Sequence, residues 1–313
     1  MSNGTRAVAE IPPGHGATAV SDLPMVRVNA PQRFLTGFGA AVREVWQYRE
    51  LLSGLVRKEL KVRYKNSALG FVWSLLLPLV QLAVYWLVIG KFLSAGAIPA
   101  YGIFIFSGLA VWTLFNEIVS TSTTSILNNA GLVKKVYFPR ELFPLAAVGA
   151  AMINFGFQLV ILVGAVIVSG INTGTWPDLQ YLPLAVLGLV VLLLFATALG
   201  LVLAAANVYL RDVQHLIGIV LMLWFWVTPI IYDVNKVARV LPQWLYDIYL
   251  LNPVTAVVFS FQKVFWPQGE DSGLAFDGDL TARLGVLAVV CAALLWLAQR
   301  VFARAQGNFA QEL

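Results

Sequence analysis

The sequence has little charge, one cysteine and two histidines, and each shortage closes off a class of chemistry. Charged residues make up 12% of the 313 positions, about half of the ~25% that soluble domains carry. A water-facing globule is thereby excluded, because the 59% hydrophobic content needs lipid to cover it. Cys291 has no second cysteine with which to form an intrachain disulfide. His15 and His215 lie far apart, and with a single cysteine they make neither a zinc-type site nor a Ser-His-Asp arrangement. No G-x-x-x-x-G-K-[ST] loop occurs, so the chain does not hold ATP in that manner. Paired carboxylates suited to glycosyl or phosphoryl transfer are also missing. The reading is a non-enzyme with no metal and no cofactor of its own. Residues 1–32 are rich in Gly, Pro and Ala and lack the apolar centre of a secretory signal peptide. They read as a disordered cytoplasmic tail.

What is present is apolar and interrupted at regular intervals. Charge-free runs predict an all-α integral membrane protein with six spans, at about 68–90, 101–125, 143–169, 181–206, 214–232 and 282–302. A helix rises ~1.5 Å per residue and needs roughly 20 residues to cross a bilayer. The sixth run, bracketed by Arg283 and Arg300, is short, and both side chains can snorkel outwards. The net charge of +5 sits at the edges of the runs. Lys and Arg cluster before span one, between spans two and three, after span four and after span six. Asp and Glu dilute them in the opposite loops. The positive-inside rule then puts both termini in the cytoplasm of a multi-pass inner-membrane protein. Residues 66–305 form the spanning domain, and 306–313 a short cytoplasmic tail.

Two segments are not simple spans. Within 33–65, Phe38, Ala41, Val45, Tyr48, Leu52 and Leu55 recur at three- and four-residue steps. This pattern predicts an amphipathic helix lying in the membrane interface. It serves either as an anchor alone or also as a contact for a partner or for headgroups. Between 233 and 267, Pro242, Asn252-Pro253 and Lys263 break the apolar stretches. A re-entrant outer hairpin before the last span explains them, since broken backbone at membrane depth needs protein or a water-filled cavity beside it. The other reading is a pair of helices lying on the outer surface.

Span two carries a polar stripe. Glu117, Thr121, Thr124 and Asn128 share a helical face, broadened by Asn116, Ser120 and Ser125. Such a stripe either bonds helices together or walls a hydrophilic conduit. Aromatics fall inside spans: Tyr85 and Trp86 in span one, Trp112 and Phe115 in span two, Trp224, Phe225 and Trp226 in span five. They are either interfacial belts or flat faces for sugar rings.

The junction at the first span carries a family resemblance. Arg57, Glu59, Lys61, Arg63, Tyr64, Lys65, Ser67, Leu69, Gly70, Trp73 and Pro78 form R-x-E-x-K-x-R-Y-K-x-S-x-L-G-x-x-W-x-x-x-x-P. KKVYFPRELFP at Lys134 to Pro144, NVYLRDVQH at Asn207 to His215 and the pair Asn252-Pro253 extend it. Over about residues 35–305 the chain resembles the permease subunit of polysaccharide ABC exporters, a branch of the type-2 ABC transporter permeases that moves O-antigen, teichoic acid, capsule or galactan.

The resemblance implies a homodimer above two copies of a separate ATPase, which holds the ATP and Mg. It implies that Lys134, Lys135, Tyr137, Arg140, Glu141, Tyr209, Arg211 and Asp212 couple to that ATPase. Pro242, Trp244, Asn252 and Pro253 would belong to an outer gate. Spans one and five would line the channel at the dimer interface, with Tyr85, Trp86, Trp112, Phe115, Glu117, Thr121, Trp224 and Phe225 facing the glycan. The cargo would be a polyprenyl-diphosphate-linked polysaccharide. Its anionic diphosphate suits a collar of Arg57, Lys58, Arg63 and Lys65, although the same cations also serve as plain lipid anchors. Alanine- and valine-heavy usage is that of a high-GC bacterium, where a cell-wall galactan is one such cargo. The rivals are a drug or small-lipid exporter of the same superfamily and an ATP-independent flippase.

Overall fold

The structure is a computed structural model, and it describes residues 38–64, 72–92, 98–135, 138–271, 273 and 279–313. Every regular element among them is helical. Four helices are long and apolar enough to cross a membrane: Tyr101–Asn128, Leu142–Thr173, Leu179–Tyr209 and Leu280–Asn308, the last two including short 3-10 turns. A bent pair, Gln243–Leu250 with Pro253–Phe265, makes a fifth if it is taken as one span. The chain is a multi-pass membrane protein.

In chain order the helices are α1 (Phe38–Gln47), α2 (Arg49–Tyr64), α3 (Val72–Tyr85), α4 (Tyr101–Asn128), α5 (Ala130–Lys135), α6 (Leu142–Thr173), α7 (Leu182–Tyr209), α8 (Val213–Val227), α9 (Val234–Val240), α10 (Gln243–Leu250), α11 (Pro253–Phe265), α12 (Gln268–Asp271), α13 (Leu280–Ala305) and α14 (Phe309–Glu312). The segment Trp86–Phe92 prolongs α3 in π-helical turns.

Helix α7 is apolar on every side and packs against α4, α6, α11 and α13. Lipid is as apolar as leucine, so the helices associate through close backbone approach. Glycine provides it. A Cβ on Gly200 would stand 2.8 Å from the Ser122 Cβ on α4, and one on Gly188 would collide with Ser260 on α11. Helices α4 and α7 run parallel, and α6 runs against them. The end bearing α5 and α14 is called basal here, and the end bearing α9 to α12 is called far.

The helix ends explain the loop acids. Asp178, Asp233, Asn252 and Asp279 each accept a backbone N–H in the first turn of the helix that follows, satisfying one of its orphan donors. Gly174 closes α6 with φ at 76° and returns its N–H to the Gly170 carbonyl, a position that favours glycine.

Two expectations change, and a third falls partly outside the described residues. The run expected at 214–232 is helical only over Val213–Val227, because Thr228 precedes Pro229 and turns extended, with ψ at 130°. Residues 68–71 of the first run lie outside the described residues; within the rest, the apolar stretch is Leu76–Val88. Arg300 does not snorkel. It is only 3% exposed and lies over the Trp296 ring at 5.7 Å, because the basal end of α13 is covered by other segments of the chain. Residues 306–313 form a 3-10 turn and α14.

A second, smaller core forms at the basal end. Leu55, Ile126, Val133, Phe138, Leu142, Phe143, Val208, Phe302 and Phe309 meet there, with Val45, Tyr48 and Leu52 against them. Val45, Tyr48, Leu52 and Leu55 of the α1–α2 stripe thus pack on protein.

Close packing at α7 gives a direct test. Replacing Gly200 with Leu should cost about 1–3 kcal/mol by overpacking and lower the thermal midpoint of the purified protein. Gly156→Leu, where a Cβ meets nothing within 4 Å, should leave the midpoint in place.

Candidate functional site: two basal turns, an aromatic knot and a bent helix pair

The basal turns expose charge on buried roots. On the first turn Lys134 and Lys135 are exposed while Val133 is buried. Arg140 donates to the Gln306 carbonyl and lies over the Phe309 ring at 5.9 Å. Glu141 is buried and accepts from Gln299 Nε2 at 3.1 Å. Burial pushes its carboxyl above the ordinary value of 4.5. The Gln299 bond opposes this, Glu44 adds to it, and Arg300 opposes it. Tyr137 lies outside the described residues.

The second turn is held by Asn207. This residue is fully buried, donates to the Thr123 carbonyl at 3.0 Å and accepts from the Gln214 N–H at 3.2 Å. One amide side chain therefore ties α7, α4 and the start of α8. Tyr209 donates to the Ala305 carbonyl at 2.9 Å. Arg211 and Asp212 are exposed at the tip.

Of the cation cluster, Arg57 is exposed on α2, and Lys58 donates to Asn129 Oδ1 at the end of α4. Arg63 lies on the last turn of α2. Lys65 is outside the described residues. Lys58 thus holds α2 to α4 and is set apart from Arg57 in surroundings.

The aromatics form one knot where α3, α4, α7 and α8 converge. Tyr85 stacks on Phe225 at 5.8 Å, Trp112 meets Phe225 edge-on at 5.6 Å, and Phe115 stacks on Phe195 at 5.8 Å. Trp224 contacts both Phe115 and Phe195 edge-on. Phe115 is 0% exposed, whereas Trp86 is 45% and Trp226 55% exposed. The knot is a packed core with tryptophans on its outer rim. In the polar stripe, Ser120, Ser125 and Thr124 bond to carbonyls of their own helix. Glu117 reaches across to α6, accepting from Asn154 Nδ2 at 2.6 Å. Thr121 is half-buried beside it.

At the far end, α10 and α11 meet at 78° across Leu251 and Asn252. Asn252 caps α11 through its Oδ1, Pro253 opens that helix, and Asn252 Nδ2 donates to Thr228 Oγ1 at 3.2 Å. Proline fits there because its missing N–H would have had no intrahelical partner. Pro242 precedes α10, and Trp244 is exposed on it. Tyr101 donates to the Ile231 carbonyl at 2.7 Å, and Tyr232 to the Trp226 carbonyl at 2.8 Å. An apolar recess of about 480 Å³ opens between Val227, Tyr232, Lys236, Val240 and Tyr249.

A model of the family described as ABC-2 type transporter matches residues 50–266. The chain belongs to the ABC-2 type transporter family. The matched range takes in both basal turns, the knot and the bent pair. The chain is 33% identical over 276 residues to the O-antigen export system permease protein RfbA of Myxococcus xanthus, covering 87% of this chain and 98% of that one. Two proteins of the same description from Klebsiella pneumoniae are 29% and 30% identical over 219 residues, which is 69% of this chain and 80% of theirs.

Asn207, Gln299 and Phe309 were not singled out from the sequence as parts of the site. Asn207 stood inside a quoted motif, and its position in an apolar helix end was the available signal. Phe309 gave none, since a single phenylalanine in a polar tail has no periodicity.

Burial of Glu141 sets a pH dependence. Its folded-state pKa lies above 4.5, so the folded state binds the proton more tightly than the unfolded state does. That stability is full below 4.5 and is lost as pH rises through the folded-state titration. The thermal midpoint should fall over this window, and Glu141→Gln should flatten that slope. An unchanged slope in Glu141→Gln would assign the dependence elsewhere.

Proposed function

We propose that this chain is the membrane-spanning half of an ATP-driven exporter, carrying a polyprenyl-diphosphate-linked polysaccharide out of the cytoplasm. One observation supports this most. The basal turns present Lys134, Lys135, Arg211 and Asp212 to solvent, yet each turn is rooted in the bundle by buried side chains, Val133 and Glu141 on one and Asn207 on the other. An exposed, rigidly rooted surface suits a partner that delivers force. The resemblance to O-antigen export permeases supplies the cargo class.

In this reading the protein is an inner-membrane homodimer with both termini in the cytoplasm and two ATPase subunits beneath. ATP and Mg belong to those subunits. Six passes are completed by α3 with its π-helical extension and by α8, the two apolar helices that are too short to count as spans by themselves. Both expose broad apolar faces: Val72, Trp73, Leu77 and Val84 on one, Ile219, Val220, Leu223 and Trp226 on the other. The second subunit covers them, and the glycan passes along the seam. The rim tryptophans offer it flat faces that do not impose register. Arg57 and Arg63 take the diphosphate, with Lys65 beside them, and Lys58 sets their height through Asn129. The α9–α11 region forms the outer gate. A cell-wall galactan is the cargo proposed.

The test is reconstitution with the cognate ATPase in vesicles containing the lipid-linked glycan. Export should require both the ATPase and ATP. The double variant Arg57→Gln, Arg63→Gln should abolish export while the assembled complex still elutes intact. Translocation at full speed by the chain alone would sink the proposal, and normal export by the double variant would sink the collar.

A further inference from the structure

Helix α13 holds the two basal turns at one end and the bent pair at the other. At its basal end the chain turns at Gln306–Asn308 and inserts Phe309, which is 0% exposed. Phe309 lies 6.1 Å from the Tyr209 ring and 5.5 Å from Phe302, and beneath the Arg140 guanidinium. Arg140 also donates to the Gln306 carbonyl, and Tyr209 to the Ala305 carbonyl. Both turns are therefore fastened to Phe309, one of them also to Gln306 and the other to Ala305. At the far end, Arg283 Nη1 donates to the Leu250 carbonyl at 2.8 Å, at the last residue of α10. Between these points α13 runs unbroken from Leu280 to Ala305 with no proline, on the order of 39 Å at ~1.5 Å per residue.

We propose that α13 is a connecting rod, and that Phe309 and Arg283 are the positioning residues that fasten its two ends. A displacement of either basal turn reaches the end of α13 through hydrogen bonds and edge-on ring contacts. A helix transmits it along its axis, because its own backbone bonds resist stretching. It arrives at Leu250, one residue before the 78° break. The bent pair is the element that can yield, since only Leu251 and Asn252 join its two arms. This deepens the export reading and rests on it for the source of the push. The mechanical link itself is a property of this chain.

The test reads the far end while altering the basal end. Cys291, which is fully buried in α13, is replaced by Ala, and a single cysteine is placed at exposed Leu251 or, as a reference, at exposed Trp176. Labelling by a membrane-impermeant maleimide is timed in the purified protein. Phe309→Ala should change the rate at 251 by about tenfold, a usual size for coupling between sites, and leave the rate at 176 alone. A rod fastened at both ends is disturbed by loosening either one, so Arg283→Met should likewise change labelling of a cysteine placed at exposed Gly307. Equal changes at 251 and 176 would reduce Phe309 to a general stabiliser, and no change at 251 or at 307 would overturn the rod. In the assembled complex, adding ATP should shift the rate at 251, and Phe309→Ala should abolish that shift. No ATP response in the unaltered complex would count against ATP-driven export, while the labelling of the chain by itself still decides the rod.

Discussion

Helix α7 can sit where it does only because its neighbours touch its backbone. Two apolar helices in lipid gain little by hiding from water, so their association depends on contact distance. Gly200 lets α4 approach until Ser122 occupies the space of a side chain, and Gly188 does the same for Ser260 on α11. These approaches fix α4, α7 and α11 as one block. The long seam between α7 and α13 then sets the line of α13, and α6 closes the block from the other side. The basal turns and the far-end bend are placed by where those helices stop.

The stops are polar, and the polar groups are few enough to be followed one by one. Asn207 answers for α7, α4 and α8 together. Asn252 answers for α11 and for Thr228 at the end of α8. Asp178, Asp233 and Asp279 start helices, besides diluting the charge of the loops they sit in. In a chain with so little charge, each of these side chains is a structural joint. The basal core adds an unusual one: Glu141 and Arg300 are buried together, with Gln299 bonded to the carboxylate. No described atom accepts from Arg300 Nε or Nη2, so burial there is costly and the groups are held by what surrounds them.

The long helices were legible because a charge-free run of more than 20 residues admits little else. The breaks at Pro242 and Asn252-Pro253 were legible as well, because proline and asparagine act locally. Thr228-Pro229 was equally local, yet the surrounding run of Ile and Tyr hid it. The aromatic knot was half legible: the sequence placed the rings on the right helices, but only packing separates Phe115, enclosed on all sides, from Trp86, on the rim. Phe309 was illegible in principle. Its burial depends on Arg140 and Tyr209, which lie far from it in the chain and meet it only after the bundle has formed.

The early end of α8 has a consequence for what can lie against it. Fifteen helical residues reach about 22 Å at 1.5 Å each, while the hydrocarbon layer is about 30 Å thick. Exposed Leu216, Ile219, Leu223 and Trp226 line that short rod. A flank this short suits a second protein surface better than acyl chains, which would have to shorten or splay to match it at a fraction of a kcal/mol per Å of mismatch. Protein laid over α8 spares the bilayer that distortion, whereas a bare flank would draw the headgroups of the two leaflets together beside it.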